Sequence, residues 1–123
     1  MATLADRVYD NGLTVLDTEA NRVDICSAEP ATYTAATSTN TLGNTTSITI
    51  SAPTDGDTSG RKVTLSAISG GSVTATGTAT HYAITDTSNS RLLATGSLSS
   101  SQSVTSGNTF SLTAVDIEIP DPA

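Results

Sequence analysis

The sequence predicts an all-β protein: a β-sandwich or jelly-roll-like domain of about seven to eight short antiparallel strands, with a short N-terminal helix. Three observations carry this. Serine and threonine make up a third of the 123 residues (24 Thr, 17 Ser), and β-branched threonine suits a half-buried pleated surface. Apolar and polar residues alternate with period two in several segments. Turn clusters rich in Gly, Pro, Asn and Asp separate those segments at roughly 8–12 residues.

The elements follow in order. Residues 3–20, "TLADRVYDNGLTVLDTEA", are the one helix candidate. Thr3 is placed to cap it, and Asp6 stands three residues on, as in a capping box. Ala5, Tyr9, Gly12, Leu13, Leu16 and Ala20 share a face at helical spacing. Asn11-Gly12 is a point where the helix could stop and restart. "RVDICS" reads as a strand with Val23 and Ile25 on one face, ended by Pro30. Residues 31–44 read as a long surface loop with room for a short edge strand. "TSITISA" alternates with Ile48, Ile50 and Ala52 on one face. "PTDGDTSG" is a turn cluster. "RKVTLSAI" places Val63, Leu65 and Ala67 inward, and "SGGS" reads as the next turn. "SVTATGTATHYAITDT" is a long strand whose apolar phase flips, which predicts a bulge near Thr80–His81. "NTFSLTAVDIEI" flips likewise near Ala114–Val115. "RLLATGSL" and "QSVTS" read as two strands joined by a Ser-rich hairpin loop, and Pro120 and Pro122 stop the last strand. Residues 1–20 form a helical segment and residues 21–123 the β domain.

Composition narrows the function classes. The net charge is −7, from five basic and twelve acidic residues. A nucleic-acid binder needs a basic footprint and stacking aromatics, and only Arg61-Lys62 stand together. An acidic surface suits a basic docking surface on a partner. The single cysteine, Cys26, forms no intrachain disulfide, and with the single His81 it makes no Cys/His metal set. "MATLADRVYDNG" carries Asp6, Arg7 and Asp10 where a signal peptide needs an apolar run. No window approaches a membrane span. With 36% hydrophobic residues and four aromatics, the core is thin, which favours stabilisation through assembly.

Each residue able to do chemistry has a plainer reading. His81 lacks a G-x-S-x-G context and reads as a strand histidine at a bend. Asp55 and Asp57 fit turn positions better than a calcium loop. Asp116 and Glu118 read as the outward face of the last strand rather than a glycosidase pair. Cys26 has no local base or cation to activate it. No catalytic residue, cofactor or metal ligand is assigned, and the expectation is a non-enzyme. The residues expected to meet a partner or another copy are Leu4, Val8, Tyr9, Leu13, Leu16, Tyr33 and Leu42. Removing residues 1–18 is expected to impair attachment more than folding.

The order of motifs resembles small bacteriophage virion structural proteins. The likeness lies in Tyr9-Asp10-Asn11-Gly12, the strand "RVDICS", Thr32-Tyr33-Thr34, Ala83-Ile84-Thr85-Asp86, Leu92-Leu93-Ala94, Val104 to Phe110 and the alternating last strand. The resemblance implies a capsid decoration (cement) or head-fibre subunit, made in the host cytoplasm and carried in the virion. It implies the major capsid protein or other virion subunits as partners, and a homo-oligomer, often trimeric. Neither nucleic acid nor membrane is expected as a partner. A minor tail, baseplate or neck subunit is the first alternative, and a host-receptor or glycan-binding module the second.

Overall fold

The computed structural model describes residues 4–121. The expected cap Thr3 and the expected stop Pro122 lie outside that range. The described chain is mainly β: a helix, α1 (Asp6–Glu19), then nine strands paired antiparallel in a curled six-stranded sheet and a small three-stranded sheet. The strands are β1 (Arg22–Cys26), β2 (Thr41–Thr45), β3 (Thr54–Asp55), β4 (Arg61–Leu65), β5 (Ile68–Val73), β6 (Gly77–Asp86), β7 (Arg91–Val104), β8 (Thr109–Leu112) and β9 (Val115–Ile119). One π-helical turn, Ala35–Thr39, precedes β2. Two compact units result. One comprises Met1–Glu19, Thr49–Ala67 and Thr113–Ala123; the other comprises Ala20–Ile48 and Ile68–Leu112.

The helix-bearing unit holds the order β3-β4-β9, with α1 packed on the central β4. Tyr9, Leu13 and Leu16 recur at 3–4-residue spacing and are buried, as are Val63 and Leu65 on β4. The helix runs unbroken through Asn11-Gly12, because the buried Tyr9, Leu13 and Leu16 hold it from both sides of that pair. "PTDGDTSG" does turn the chain between β3 and β4. Gly60 ends that turn at φ +69°, and a Cβ there would collide with the Ile119 carbonyl. Gly60→Ala is therefore expected to cost roughly 2 kcal/mol, from positive-φ strain and backbone displacement together. Urea unfolding checks this; a change under about 0.5 kcal/mol, within the range of an ordinary surface substitution, would overturn it.

The other unit holds the order β7-β6-β1-β2-β5-β8. Val23, Ile25, Tyr82 and Ile84 are buried on the paired strands β1 and β6. The two edge strands are tied to each other: the Gln102 side-chain amide on β7 donates to the Ser111 carbonyl on β8 at 2.7 Å. On β1, Arg22 and Asp24 lie on one face two residues apart. Arg22 Nε and Nη2 donate to the two carboxylate oxygens at 2.7 and 2.8 Å. Thr41 Oγ1 on β2 donates to the same carboxylate at 2.6 Å, and Asp24 is fully buried.

Several expectations change on the fold. The 31–44 stretch is not simply a surface loop: β2 is an interior strand between β1 and β5. The π-helical turn buries Ala36 against Cys26 and Ala83. "TSITISA" forms one bridge, Ile50 to Leu65, rather than a strand, and Ala52 is exposed. There the Ser51 hydroxyl accepts the Thr64 amide, so a side chain occupies a ladder position. Ala67 is exposed, because the chain leaves β4 after Leu65 and enters β5 in the other sheet. "SGGS" is strand, since Gly71 leaves room for the Phe110 ring on the neighbouring strand.

The two phase flips have different causes. The one near Thr80–His81 is a bulge, as expected: the register shifts between Ala79 and His81. The "SLSSSQS" segment is not a hairpin loop but the other side of that bulge. Ser97 pairs with His81 and Gln102 with Ala79, so residues 98–101 stand opposite Thr80 alone. The flip near Ala114–Val115 is a change of sheet, from β8 to β9. Pro120 follows directly on β9, as expected.

Candidate functional site

The helix-bearing unit presents the best-defined surface for an interaction. Its inner helix face is held by packing and by a strap from the C-terminal segment. Tyr9 Oη donates to Asp121 Oδ1 at 2.7 Å, and the Asp121 amide donates to Ser59 Oγ at 3.0 Å. Burial pushes the Tyr9 phenol up to about 12, helped by the hydrogen bond to Asp121 and by the charges of Asp121 and Asp6. A raised phenol favours the fold fully below its ordinary value near 10, and that contribution is lost as pH rises from there through about 12. Ultraviolet titration is expected to show one tyrosine ionising near pH 12, and Asp121→Asn to bring it down. An unshifted tyrosine titration curve in the variant would sink the strap.

Arg61 and Lys62 point to opposite faces of β4 and organise the carboxylates on each. Arg61 bonds Asp10 through Nε at 2.9 Å and Asp55 through Nη1 at 2.7 Å, with Asp6 at 3.9 Å. Lys62 bonds Asp57 at 2.6 Å and Asp116 at 3.2 Å. The Thr64 hydroxyl and Lys62 hold the Asp116 carboxyl below the usual carboxylate range. Asp55 and Asp57 thus go to different cations instead of converging. Among the described residues no group of three His, Cys, Asp or Glu is placed to share a metal ion.

One flank of the helix is apolar and open, beside exposed Arg7, Asn11 and Thr18. Val8 is 57% exposed and Val15 37%, seven residues apart on one face, with Gly12 between them. Leu4, just before the helix, is 45% exposed, and Ile119 on β9 is 39% exposed.

Of the residues expected at an interface, Leu4 and Val8 lie on this open face. Tyr9, Leu13 and Leu16 are buried in the helix-bearing unit, and Leu42 is buried in the other. Leu42 sits against Gly77, where an added Cβ would lie 3.0 Å from it. Tyr33 is half-buried, and its carbonyl accepts the Thr37 hydroxyl of the π-helical turn. Because Tyr9, Leu13 and Leu16 belong to the core, removing residues 1–18 would uncover Val63 and Leu65 and damage folding directly. Val15 and Ile119 were not singled out by the sequence reading. The seven-residue step from Val8 was the available signal for Val15.

The remaining candidates lie in local structure. His81 Nδ1 is 2.9 Å from Thr80 Oγ1, and Nε2 is 3.4 Å from Ser97 Oγ. Cys26 is fully buried, and burial, with the Asp24 charge, pushes its thiol up to about 12. It therefore stays protonated and unreactive at neutral pH. Asp116 is exposed and Glu118 half-buried, on the face of β9 opposite Ile117. Glu118 accepts the Thr58 amide at 3.3 Å. Comparison with models of protein families, with curated proteins and with solved structures found no match to this chain.

Proposed function

We propose that the protein is a bacteriophage structural subunit, and within the particle a capsid decoration (cement) subunit that binds the outer shell and bridges major capsid protein subunits. One observation carries the reading. All four exposed large hydrophobics among the described residues fall in the helix-bearing unit, two of them on one helix face. Such a surface serves contact rather than chemistry. The motif order described above supplies the virion context, and a β-sandwich or jelly-roll-like subunit assembling as a homo-oligomer belongs to the same reading. Bridging adds interface to a bare shell, and each contact stays modest because many copies act on one lattice.

Quantitative mass spectrometry of purified particles tests this. About one copy per shell subunit, or one trimer per few of them, is the expected result. A handful of copies per particle would move the protein to the tail, baseplate or neck. Absence from the particle would overturn the virion reading and favour a host-receptor or glycan-binding module. The half-buried state of Tyr33 gives that last role little exposed aromatic surface.

A further inference from the structure

We infer that Ser97 on β7 is a nucleophilic hydroxyl, served by His81 across the ladder on β6 and able to take an acyl group from an activated ester. The inference goes beyond the decoration reading and does not depend on it. Ser97 and His81 are direct cross-strand partners, so their side chains share one face of the sheet. Ser97 is exposed and His81 half-buried, so the pair is open to a reactant from outside.

The bulge builds the rest. Successive residues of a regular strand point to opposite faces, which would part Thr80 from His81. The register shift between Ala79 and His81 removes that alternation, and Thr80 Oγ1 comes to 2.9 Å from His81 Nδ1. Thr80 Oγ1 also donates to the Ser27 carbonyl at 3.0 Å. A hydroxyl has one proton to give. With that proton on the Ser27 carbonyl, the contact to Nδ1 is made only if Nδ1 carries a proton and donates it. Neutral His81 is then bare at Nε2, the nitrogen 3.4 Å from Ser97 Oγ. Donation therefore runs one way: Ser97 Oγ to His81 Nε2, His81 Nδ1 to Thr80 Oγ1, and Thr80 Oγ1 to the Ser27 carbonyl. This is a nucleophile, its base and a third group that orients the base. The exposed Ser99, Ser100 and Ser101 have no second histidine to call on, since the chain has one.

In the step, Ser97 Oγ bonds to the ester carbonyl carbon and its proton passes to His81 Nε2. The bond from that carbon to the leaving oxygen then breaks, and the electron pair departs on an aryl oxide. Thr80 touches no reacting atom and is a positioning residue. Its hydroxyl is a neutral acceptor where a catalytic triad has a carboxylate, which limits the site to esters with good leaving groups.

The test treats the full-length protein with p-nitrophenyl acetate and maps the acetylated residues by peptide mass spectrometry. Ser97 is expected to react about tenfold faster than Ser99, Ser100 or Ser101, and His81→Gln to remove that advantage, within the reach of general-base catalysis. Thr80→Val is expected to slow Ser97 severalfold and Thr80→Ser to restore it, with circular dichroism unchanged in all three variants. The unaltered protein supplies a second readout: nitrogen NMR of its single histidine is expected to show the neutral ring protonated on Nδ1. Acetylation of Ser97 no faster than its neighbours would overturn the inference, as would an unchanged rate in folded His81→Gln. So would a neutral histidine protonated on Nε2. A rate that Thr80→Ser leaves as low as Thr80→Val does would overturn the orienting role of Thr80. Each of these results leaves the decoration reading as it stands.

Discussion

Replacing Phe110 with alanine is expected to cost about 3–5 kcal/mol, the range for emptying a buried aromatic site. Phe110 is 3% exposed. It pairs directly with Gly71 across β5 and β8, and its ring occupies the space that a Cβ at Gly71 would need. The ring thus covers a strand glycine that has no side chain of its own to pack. The coupling is testable. Gly71→Ala is expected to be strongly destabilising alone and far milder in the Phe110→Ala background, because the colliding atoms are gone. Guanidinium unfolding of the four proteins closes the cycle. Additive effects would mean that the ring and the glycine do not share that space.

The second large effect is expected at the buried ion pair. Arg22→Ala should cost about 3 kcal/mol, because it leaves the Asp24 carboxylate buried with the Thr41 hydroxyl in place of a cation. Asp24 is fully buried, while the Arg22 side chain keeps 22% of its surface exposed. Removing the acid leaves a cation that still reaches water, so Asp24→Ala should cost less, about 2 kcal/mol. Replacing both residues with apolar side chains of similar size should restore much of the loss. The same unfolding measurements decide it. If Arg22→Ala costs less than Asp24→Ala, the burial argument fails.

Both sites show how far local pattern reaches. Arg22 and Asp24 stand two apart on a strand, which places them on one face, and the sequence reading recognised that strand. It could not show that Thr41, seventeen residues on, completes the pair. That requires β2 to lie beside β1, and loop-like residues 31–44 carry too few apolar side chains to announce an interior strand. Gly70-Gly71 reads locally as a turn, and only the Phe110 ring across the ladder makes it strand. The Ser-rich run in β7 has turn composition, yet its partner strand holds it extended.

Local pattern and composition set the mainly β class of the protein and the sign of its charge. The Thr-rich alternation made it mainly β, and 3–4-residue spacing made the first segment helical. The phase flip at Thr80–His81 marked a bulge, Pro120 ended the last strand, and the surplus of acids set the sign of the field. Which faces are free follows from packing between distant segments. The same periodicity that groups Tyr9, Leu13 and Leu16 does not say whether they meet their own sheet or a partner. Burial on β4 assigns them to the core and leaves Val8 and Val15 outside. Only the fold, too, gathers nine of the twelve acidic residues and three of the five basic ones, −6 of the net −7, into one unit, because its three stretches are far apart along the chain. Local propensity acts over a few residues, while burial and summed charge depend on which distant segments the fold brings together.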